Sequence, residues 1–250
     1  MFWNSFVHAP GKLSIVPLAH SPCGCLLCPT RRLCAAADLE EDVLPLLAAC
    51  MRTSLPMAKG DHLYREGDAA ESCFVVRSGV YKTSTVSSSG HEYITGFYFS
   101  GELIGFNGQR DGRYLDTAIA LETSTVCRLL IRDLPKLWSI GGGPSLLRML
   151  AERQDCATRQ QINLCQSKAD ARVARFLLES SKRMQRLGRD SALIPTPMSR
   201  TDLANYLGIT LECLSRILAR FRNAGLIRAE RTEIQILVLA NLESLAFHTS

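Results

Sequence analysis

Three cysteines near the start of the chain and one far downstream restrict its fold more than any other feature. Cys25, Cys28 and Cys34 are spaced C-x2-C-x5-C, and Cys127 stands apart in a different stretch of sequence. Thiolates are soft ligands that suit iron–sulfur clusters or zinc, and both favour four of them. A centre held by these four would tie a short N-terminal segment to a folded domain, and its loss would release that segment. Such an arrangement suits a sensor. The spacing leaves cluster and zinc open, ahead of disulfides or plain buried thiols.

The chain of 250 residues has room for two modest domains, each with its own core. No apolar run reaches the ~18 residues of a membrane span, so no membrane partner is expected. The opening stretch, MFWNSFVHAPGKLSIVPLAHSP, lacks a basic head, a long apolar run and a small-residue cleavage site, which makes it a poor secretion signal. A cytoplasmic protein is the expectation, with its ten cysteines as thiols and some of them as ligands. The formal charge of +5 is uneven, because 13 Lys/Arg stand against 6 Asp/Glu between Lys168 and Arg231. A basic C-terminal third is the footprint of a nucleic-acid partner, with a solvated Arg-rich helical surface as the alternative.

Texture divides the chain further. Residues 39–52 read as a short helix with Leu44, Leu46 and Leu47 inward. From Lys59 to Ile131, short β-like runs broken by glycine predict an antiparallel barrel or roll, with Ser87-Ser88-Ser89-Gly90 as an exposed hairpin tip. Gly141-Gly142-Gly143 closes that domain, and Pro144 fits the first turn of a long helix over roughly 144–166. Its apolar stripe is Leu146 or Leu147, Leu150, Ala157 and Leu164, interrupted by Gln154 and Gln161, with Arg153 and Arg159 near its centre. Such a helix is long enough to pair with another and too polar to pair tightly. A second helix, about 169–187, turns Val173, Phe176, Leu177 and Met184 inward and its arginines outward.

Residues 199–223 have the pattern of a helix-turn-helix. Ser199 caps the first helix with Asp202 in a capping-box position, and Leu203, Tyr206 and Leu207 give it an apolar face. Gly208 permits the turn and Thr210 caps the second helix. In that helix Leu211, Leu214, Leu218 and Phe221 share the buried side, and Glu212, Ser215, Arg216 and Ala219 the opposite one. Arg chelates guanine and Glu accepts from cytosine in a major groove. Arg220 and Arg222 are better placed for phosphates, which position a protein without reading sequence. The following LIRAERTEIQILVL reads as a two-stranded wing. The bland alternative is a surface helical hairpin whose Glu and Arg pair with one another.

Beyond residue 22 the chain resembles bacterial transcription factors of the CRP/FNR superfamily, and within it the oxygen-responsive FNR type. The resemblance is carried by the cysteine spacing at 25–34, ITGFYFSGELIGF at 94–106, LETSTVC at 121–127 and ITLECLSR at 209–216. It implies an α+β architecture: an N-terminal antiparallel β-roll, a long dimerisation helix and a C-terminal winged helix-turn-helix. The implied organisation is a cluster-binding segment at 1–44, a sensor roll at 45–140, a dimer helix at 141–168 and a DNA-binding domain at 169–250. It also implies a 4Fe–4S cluster on Cys25, Cys28, Cys34 and Cys127, a homodimer joined through Leu150, Ala157 and Leu164, and disruption of the DNA-binding dimer by oxygen. Double-stranded DNA with palindromic TTGAT-type half-sites, read through Glu212, Ser215 and Arg216, and RNA polymerase are the implied partners. Cys23 is an additional thiol able to compete as a ligand.

The cAMP-binding branch of the superfamily follows Gly-Glu-Leu with an Arg-Ser segment that grips the cyclic phosphate. Here Glu102 is kept, but the corresponding stretch is Tyr114-Leu115-Asp116-Thr117, and an Asp in place of Arg repels an anion. The five histidines show no ligand spacing. Cys50, Cys73, Cys156, Cys165 and Cys213 read as small apolar or semi-exposed residues, and Trp3 and Trp138 as packing residues. With no nucleophile–base pair and no P-loop, catalysis is not expected. The reading is an oxygen-sensing transcription activator, with a cyclic-nucleotide regulator or a zinc-stapled dimer as alternatives.

Overall fold

Strand alternation gives the N-terminal half two faces with different neighbours. The computed structural model describes residues 18–22, 24–166 and 168–247. Cys23, like Trp3, His8 and His248, lies outside the described residues. β1 (Leu18–Pro22) pairs antiparallel with β2 (Met51–Ser54). Between them come two single turns of 3-10 helix, Cys25–Leu27 and Arg31–Leu33, and then α1 (Leu44–Cys50). β3 (His62–Tyr64), β4 (Ser72–Ser78), β5 (Tyr81–Val86), β6 (Glu92–Tyr98), β7 (Leu103–Ile104), β8 (Thr117–Ala120) and β9 (Thr125–Leu130) complete an antiparallel roll. One sheet runs β1-β2-β9-β4-β7 and the other β3-β8-β5-β6. Residues 87–90 form the exposed β5–β6 tip, closed by a 2.9 Å bond from the Ser87 N–H to the His91 carbonyl.

Successive strand side chains point to opposite faces. Phe74 and Val76 of β4 and Val126 of β9 therefore pack between the sheets with Tyr64, Tyr81, Tyr98 and Tyr114. Their neighbours Cys73, Val75, Cys127 and Leu129 face outward and build a second core with Cys25, Cys34, Leu39, Leu44 and Leu47. On the other sheet, Ile94, Phe97 and Phe99 join the core of the C-terminal domain. The pleat that makes the roll thus also decides that Cys127 faces the N-terminal cysteines.

α2 (Leu134–Ser139) precedes α3 (Gly143–Gln166), the long helix, which opens at the triple glycine as its sequence predicts. Leu146, 2% exposed, and Met149 enter the core beside the cysteine segment. Leu147 (54%) and Leu164 (42%) face outward with Ala157, while Leu150 is half-buried. The expectation that Arg153 sits on this outward stripe fails. Its guanidinium lies 4.3 Å from the centroid of the Tyr98 ring, because residue 153 shares a helix face with Met149 and Cys156. Arg159 is exposed, 3.8 Å from Asp155.

α4 (Ala169–Arg186) buries Val173, Phe176, Leu177 and Met184. One of its arginines departs from the outward pattern: Arg183 is only 8% exposed because Glu102 meets it. β10 (Leu193–Pro195), α5 (Arg200–Tyr206), α6 (Leu211–Asn223), β11 (Ile227–Ala229), β12 (Glu233–Ile236) and α7 (Leu239–Phe247) complete the chain. The wing has three strands rather than two, since β12 is paired on both edges, by β10 and β11. α7, which follows the stretch read as a wing, turns back and buries Leu242 and Ala246.

Three further expectations change. The helix anticipated over 39–52 shortens to α1, because residues 51–54 gain strand partners in β1 and β9. Leu46 points to solvent at 55% exposure, and Leu211, in the first turn of α6, at 40%. Trp138 is half exposed, with its other face against Gly143. Among the described residues no helix is long and apolar enough to cross a membrane. The architecture is the expected α+β one.

The two leucines at the head of α3 make a clean comparison. Leu146→Ala is expected to cost about 2–5 kcal/mol of unfolding free energy in urea titrations, because it empties a packed site. Leu147→Ala is expected to stay within about 0.5 kcal/mol of wild type at equal oligomeric state.

Candidate functional site

Two tight turns bend residues 25–34 back on themselves. The Cys28 N–H donates to the Cys25 carbonyl and the Cys34 N–H to the Arg31 carbonyl, each at 3.3 Å. Cys25, Cys28 and Cys34 then line one cavity together with Cys127, which β9 presents from the roll. Cys127 is held between Thr53 of β2 and Val75 of β4 in the ladder. Met51 and Val75 form apolar walls, and Arg31 and Arg77 supply positive charge. Cys25, Cys34 and Cys127 are buried and Cys28 is half-buried.

Both donors and a carbonyl acceptor stand beside the sulfurs, the Cys34 thiol donating to the Arg31 carbonyl at 3.4 Å. The Ala36 N–H reaches Cys34 Sγ at 3.4 Å, and Thr30 Oγ1 lies 3.2 Å from Cys28 Sγ. Arg77 donates to Thr53 Oγ1 (3.1 Å), which is 3.9 Å from Cys127 Sγ. Hydrogen bonds and positive charge around thiolates stabilise and tune a centre bound by them. Cys73 differs: burial pushes its thiol up to about 12, so it stays a protonated apolar filler. Burial raises Cys50 in the same direction.

Among the described residues, no three His, Cys, Asp or Glu side chains converge closely enough to share a single metal ion. Tetrahedral zinc needs all its sulfurs about 2.3 Å from one centre. A four-iron cluster takes its thiolates at four separate irons, and these four cysteines supply the number that either centre needs.

The cysteine segment is also pinned to α3. Asp38 accepts from Ser145 Oγ and from Arg148 Nη1 at 3.1 Å. The Ser145 hydrogen bond, aided by Arg148 against a desolvation penalty, holds the Asp38 carboxyl below its usual range.

The stretch expected to exclude cyclic phosphates has become part of the roll's interior. Asp116 accepts from Tyr64 Oη and from Asn107 Nδ2, both at 2.9 Å, and the Tyr64 and Tyr114 rings stack at 3.8 Å. Burial raises the Asp116 carboxyl above its usual value despite these bonds. An ionised carboxyl repels an anion, and the oxygens of Asp116 are already engaged by Tyr64 and Asn107. Because the folded state holds this proton more tightly than the unfolded chain, its contribution to stability is lost as pH rises through the raised value. Asp116→Asn should therefore gain stability relative to wild type as pH goes from about 4 to about 7 in urea titrations, and a pH-independent difference contradicts this.

The helix-turn-helix forms as its caps dictate. Ser199 Oγ accepts from the Asp202 N–H at 2.9 Å, and Thr210 Oγ1 from the Cys213 N–H at 3.2 Å. Gly208 takes φ +62°, the conformation that a side chain resists, between α5 and α6. Asp202 completes only half a capping box, since its carboxylate lies 2.7 Å from Lys82 Nζ on the roll. Asn205 bridges the edge of β6, accepting from the Ile94 N–H at 2.8 Å and donating to the Glu92 carbonyl at 2.7 Å. No sequence pattern marks these cross-domain contacts.

Opposite the buried Leu214, Ile217, Leu218 and Phe221, α6 exposes Glu212, Ser215, Arg216, Arg220 and Arg222. The Glu212 carboxyl is lowered by its own backbone N–H and by Thr210, which keeps it an acceptor. Ser215 Oγ donates to the Leu211 carbonyl. Arg220 pairs with Asp170 at the start of α4. This is a convex, charged helix face framed by a wing, the shape that enters a major groove.

Comparison with known proteins bears on both halves. Residues 55–139 match the cyclic nucleotide-binding domain family and residues 171–245 the Crp-like helix-turn-helix domain family. The transcriptional activator protein FnrA of Stutzerimonas stutzeri is 37% identical over 237 residues, covering 93% of this chain and 96% of that one. The fumarate and nitrate reduction regulatory protein of Escherichia coli is 33% identical, covering 90% and 91%. Among solved structures, FixK2 from Bradyrhizobium japonicum superimposes with a TM-score of 0.69 at 26% identity, over 78% of this chain and 98% of that one.

Proposed function

The chain belongs to the CRP/FNR family of transcription regulators, and on that footing we propose that it is an oxygen-responsive activator whose Cys25, Cys28, Cys34 and Cys127 hold a 4Fe–4S cluster. Its relatives are DNA-binding regulators rather than enzymes. The observation that carries the proposal is the cavity shared by these four cysteines and by no other cysteine among the described residues. A bound cluster would supply reactivity toward oxygen at a site joined to the head of α3.

The chain's own residues do the rest. Arg31 and Arg77 offset the negative charge of four thiolates, the Ala36 N–H fixes Cys34, and Met51 and Val75 limit water. Leu146 and Met149 lie in the same core as Cys25, Cys34 and Cys127. Ordering of the cysteine segment therefore steadies the first turns of α3. Its outward stripe of Leu147, Leu150, Ala157 and Leu164 takes the same helix of a second chain, and the thin apolar content keeps that pairing within reach of a switch. A dimer sets two α6 helices one DNA turn apart. Glu212, Ser215 and Arg216 read bases of TTGAT-type half-sites, and Arg222 contacts phosphate. Arg220 joins it by exchanging Asp170 for the backbone. RNA polymerase is the partner through which such an activator acts.

Anaerobically purified protein is expected to carry about four iron and four sulfide per chain, with each of Cys25→Ser, Cys28→Ser, Cys34→Ser and Cys127→Ser losing the iron and the DNA-binding dimer in sedimentation. Cys73→Ser should keep both. One zinc per chain and no iron would replace this reading with a zinc-stapled dimer.

For DNA, Arg216→Ala is expected to cost about 1–3 kcal/mol and relax preference at one position of each half-site in binding titrations. Arg222→Ala should weaken all sequences alike and flatten the salt dependence. Uniform weakening by Arg216→Ala would make it a phosphate contact instead.

A further inference from the structure

The Gly-Glu-Leu triplet shared with the cyclic-nucleotide branch has a different occupation in this chain. Glu102 Oε1 lies 2.8 Å from Arg183 Nε in α4, and Glu102 Oε2 accepts from the Phe99 N–H at 3.3 Å. Arg183 lies over the Phe99 ring at 5.2 Å, with Nη2 3.6 Å from Cys156 Sγ. Burial alone would lower the pKa of this guanidinium, but Glu102, with Cys156 and Tyr206, more than reverses that. Arg183 is nearly buried and the Glu102 side chain a quarter exposed, so losing Glu102 strands a charge in the interior.

The other side of the same turn touches the cysteine segment. Leu33, the residue before Cys34, packs directly on Gly101, where an added Cβ would lie 2.7 Å from Leu33 Cβ. Gly101 adopts φ +90° and its N–H is fixed to the Val76 carbonyl at 2.8 Å. Leu33, Gly101, Glu102 and Arg183 are thus consecutive contacts running from the cysteines to the helix that carries the DNA-binding domain.

We infer that Glu102 is a positioning residue that couples the cysteine segment to the DNA-binding domain within one protomer, by a route separate from dimerisation along α3. Leu33 sets the Gly101 turn, the turn aims Glu102, and Glu102 holds α4 through Arg183. A cavity of about 400 Å3 lies beside this pair, between the turn, α3 and α4. The cavity is partly open to solvent, so α4 has room to shift when the pair opens. Of the other contacts between roll and DNA-binding domain, Lys82–Asp202 and Asn205 on β6 grip α5, and Phe97 packs on Phe176 of α4 and Tyr206 of α5; none of these touches the cysteine segment. The inference rests on the cluster proposal only for what orders the segment.

Amide hydrogen exchange of the full-length protein purified and measured anaerobically tests this, comparing wild type with Leu33→Ala and Glu102→Gln. Both substitutions are expected to speed exchange in residues 179–187 by about tenfold or more, leaving the wing strands 227–236 unchanged. The half-exposed Leu33 is the decisive position, because its truncation leaves the ion pair chemically intact and does not empty a core. Wild-type exchange at 179–187 in Leu33→Ala overturns the coupling, even if Glu102→Gln accelerates it. Should Glu102→Gln unfold the protein, Arg183→Lys, which keeps the charge and loses the planar fork, is expected to give the same regional acceleration. Iron and sulfide are assayed on the same samples, so failure of the cluster proposal in metal analysis and failure of the coupling are separate results.

Discussion

The outer face of the five-stranded sheet is where the molecule is held together functionally. Cys73, Val75, Cys127 and Leu129 protrude from it, and the cysteine segment, α1 and the head of α3 bury themselves on them. Without that burial the N-terminal segment would have no reason to fold, since two single 3-10 turns carry little stability of their own. The same packing puts a soft-ligand site and the long helix in one core. A change in the first is thereby felt by the second, with no long wire between them.

The opposite sheet does a different job. Its aromatic outer face, Phe97 with Phe176 and Tyr206, joins roll and DNA-binding domain in a T-shaped cluster. Around this apolar seam the polar contacts are specific: Lys82 with Asp202, Asn205 with the edge of β6, and Arg183 with Glu102. Hydrophobic contact supplies cohesion, while buried charge pairs supply register, because they tolerate little displacement. Asn205 also occupies backbone groups of β6 that an edge strand would otherwise leave open.

Electrostatics explains why a fold built like a nucleotide receptor is not arranged as one here. Asp116 is satisfied by Tyr64 and Asn107, and Glu102 has turned to Arg183. Both acidic groups serve the protein's own structure. Exposed positive charge lines α6 at Arg216, Arg220 and Arg222, where Glu212 interrupts it with an acceptor suited to reading bases.

What the sequence by itself determined was local. Spacing grouped the cysteines, glycine-punctuated alternation announced the roll, and caps at Ser199 and Thr210 with Gly208 between them specified the helix-turn-helix, since each depends on residues a few positions apart. Tertiary structure decided whatever hinges on partners far along the chain. Residues 51–54 became a strand because β9 offered them a ladder, and residues 239–247 became a helix because α4 offered a surface. Arg153 and Arg183 turned inward because Tyr98 and Glu102, remote in sequence, waited there. A side chain's own chemistry states what it can bind, but only the folded chain brings the partner within a few ångströms.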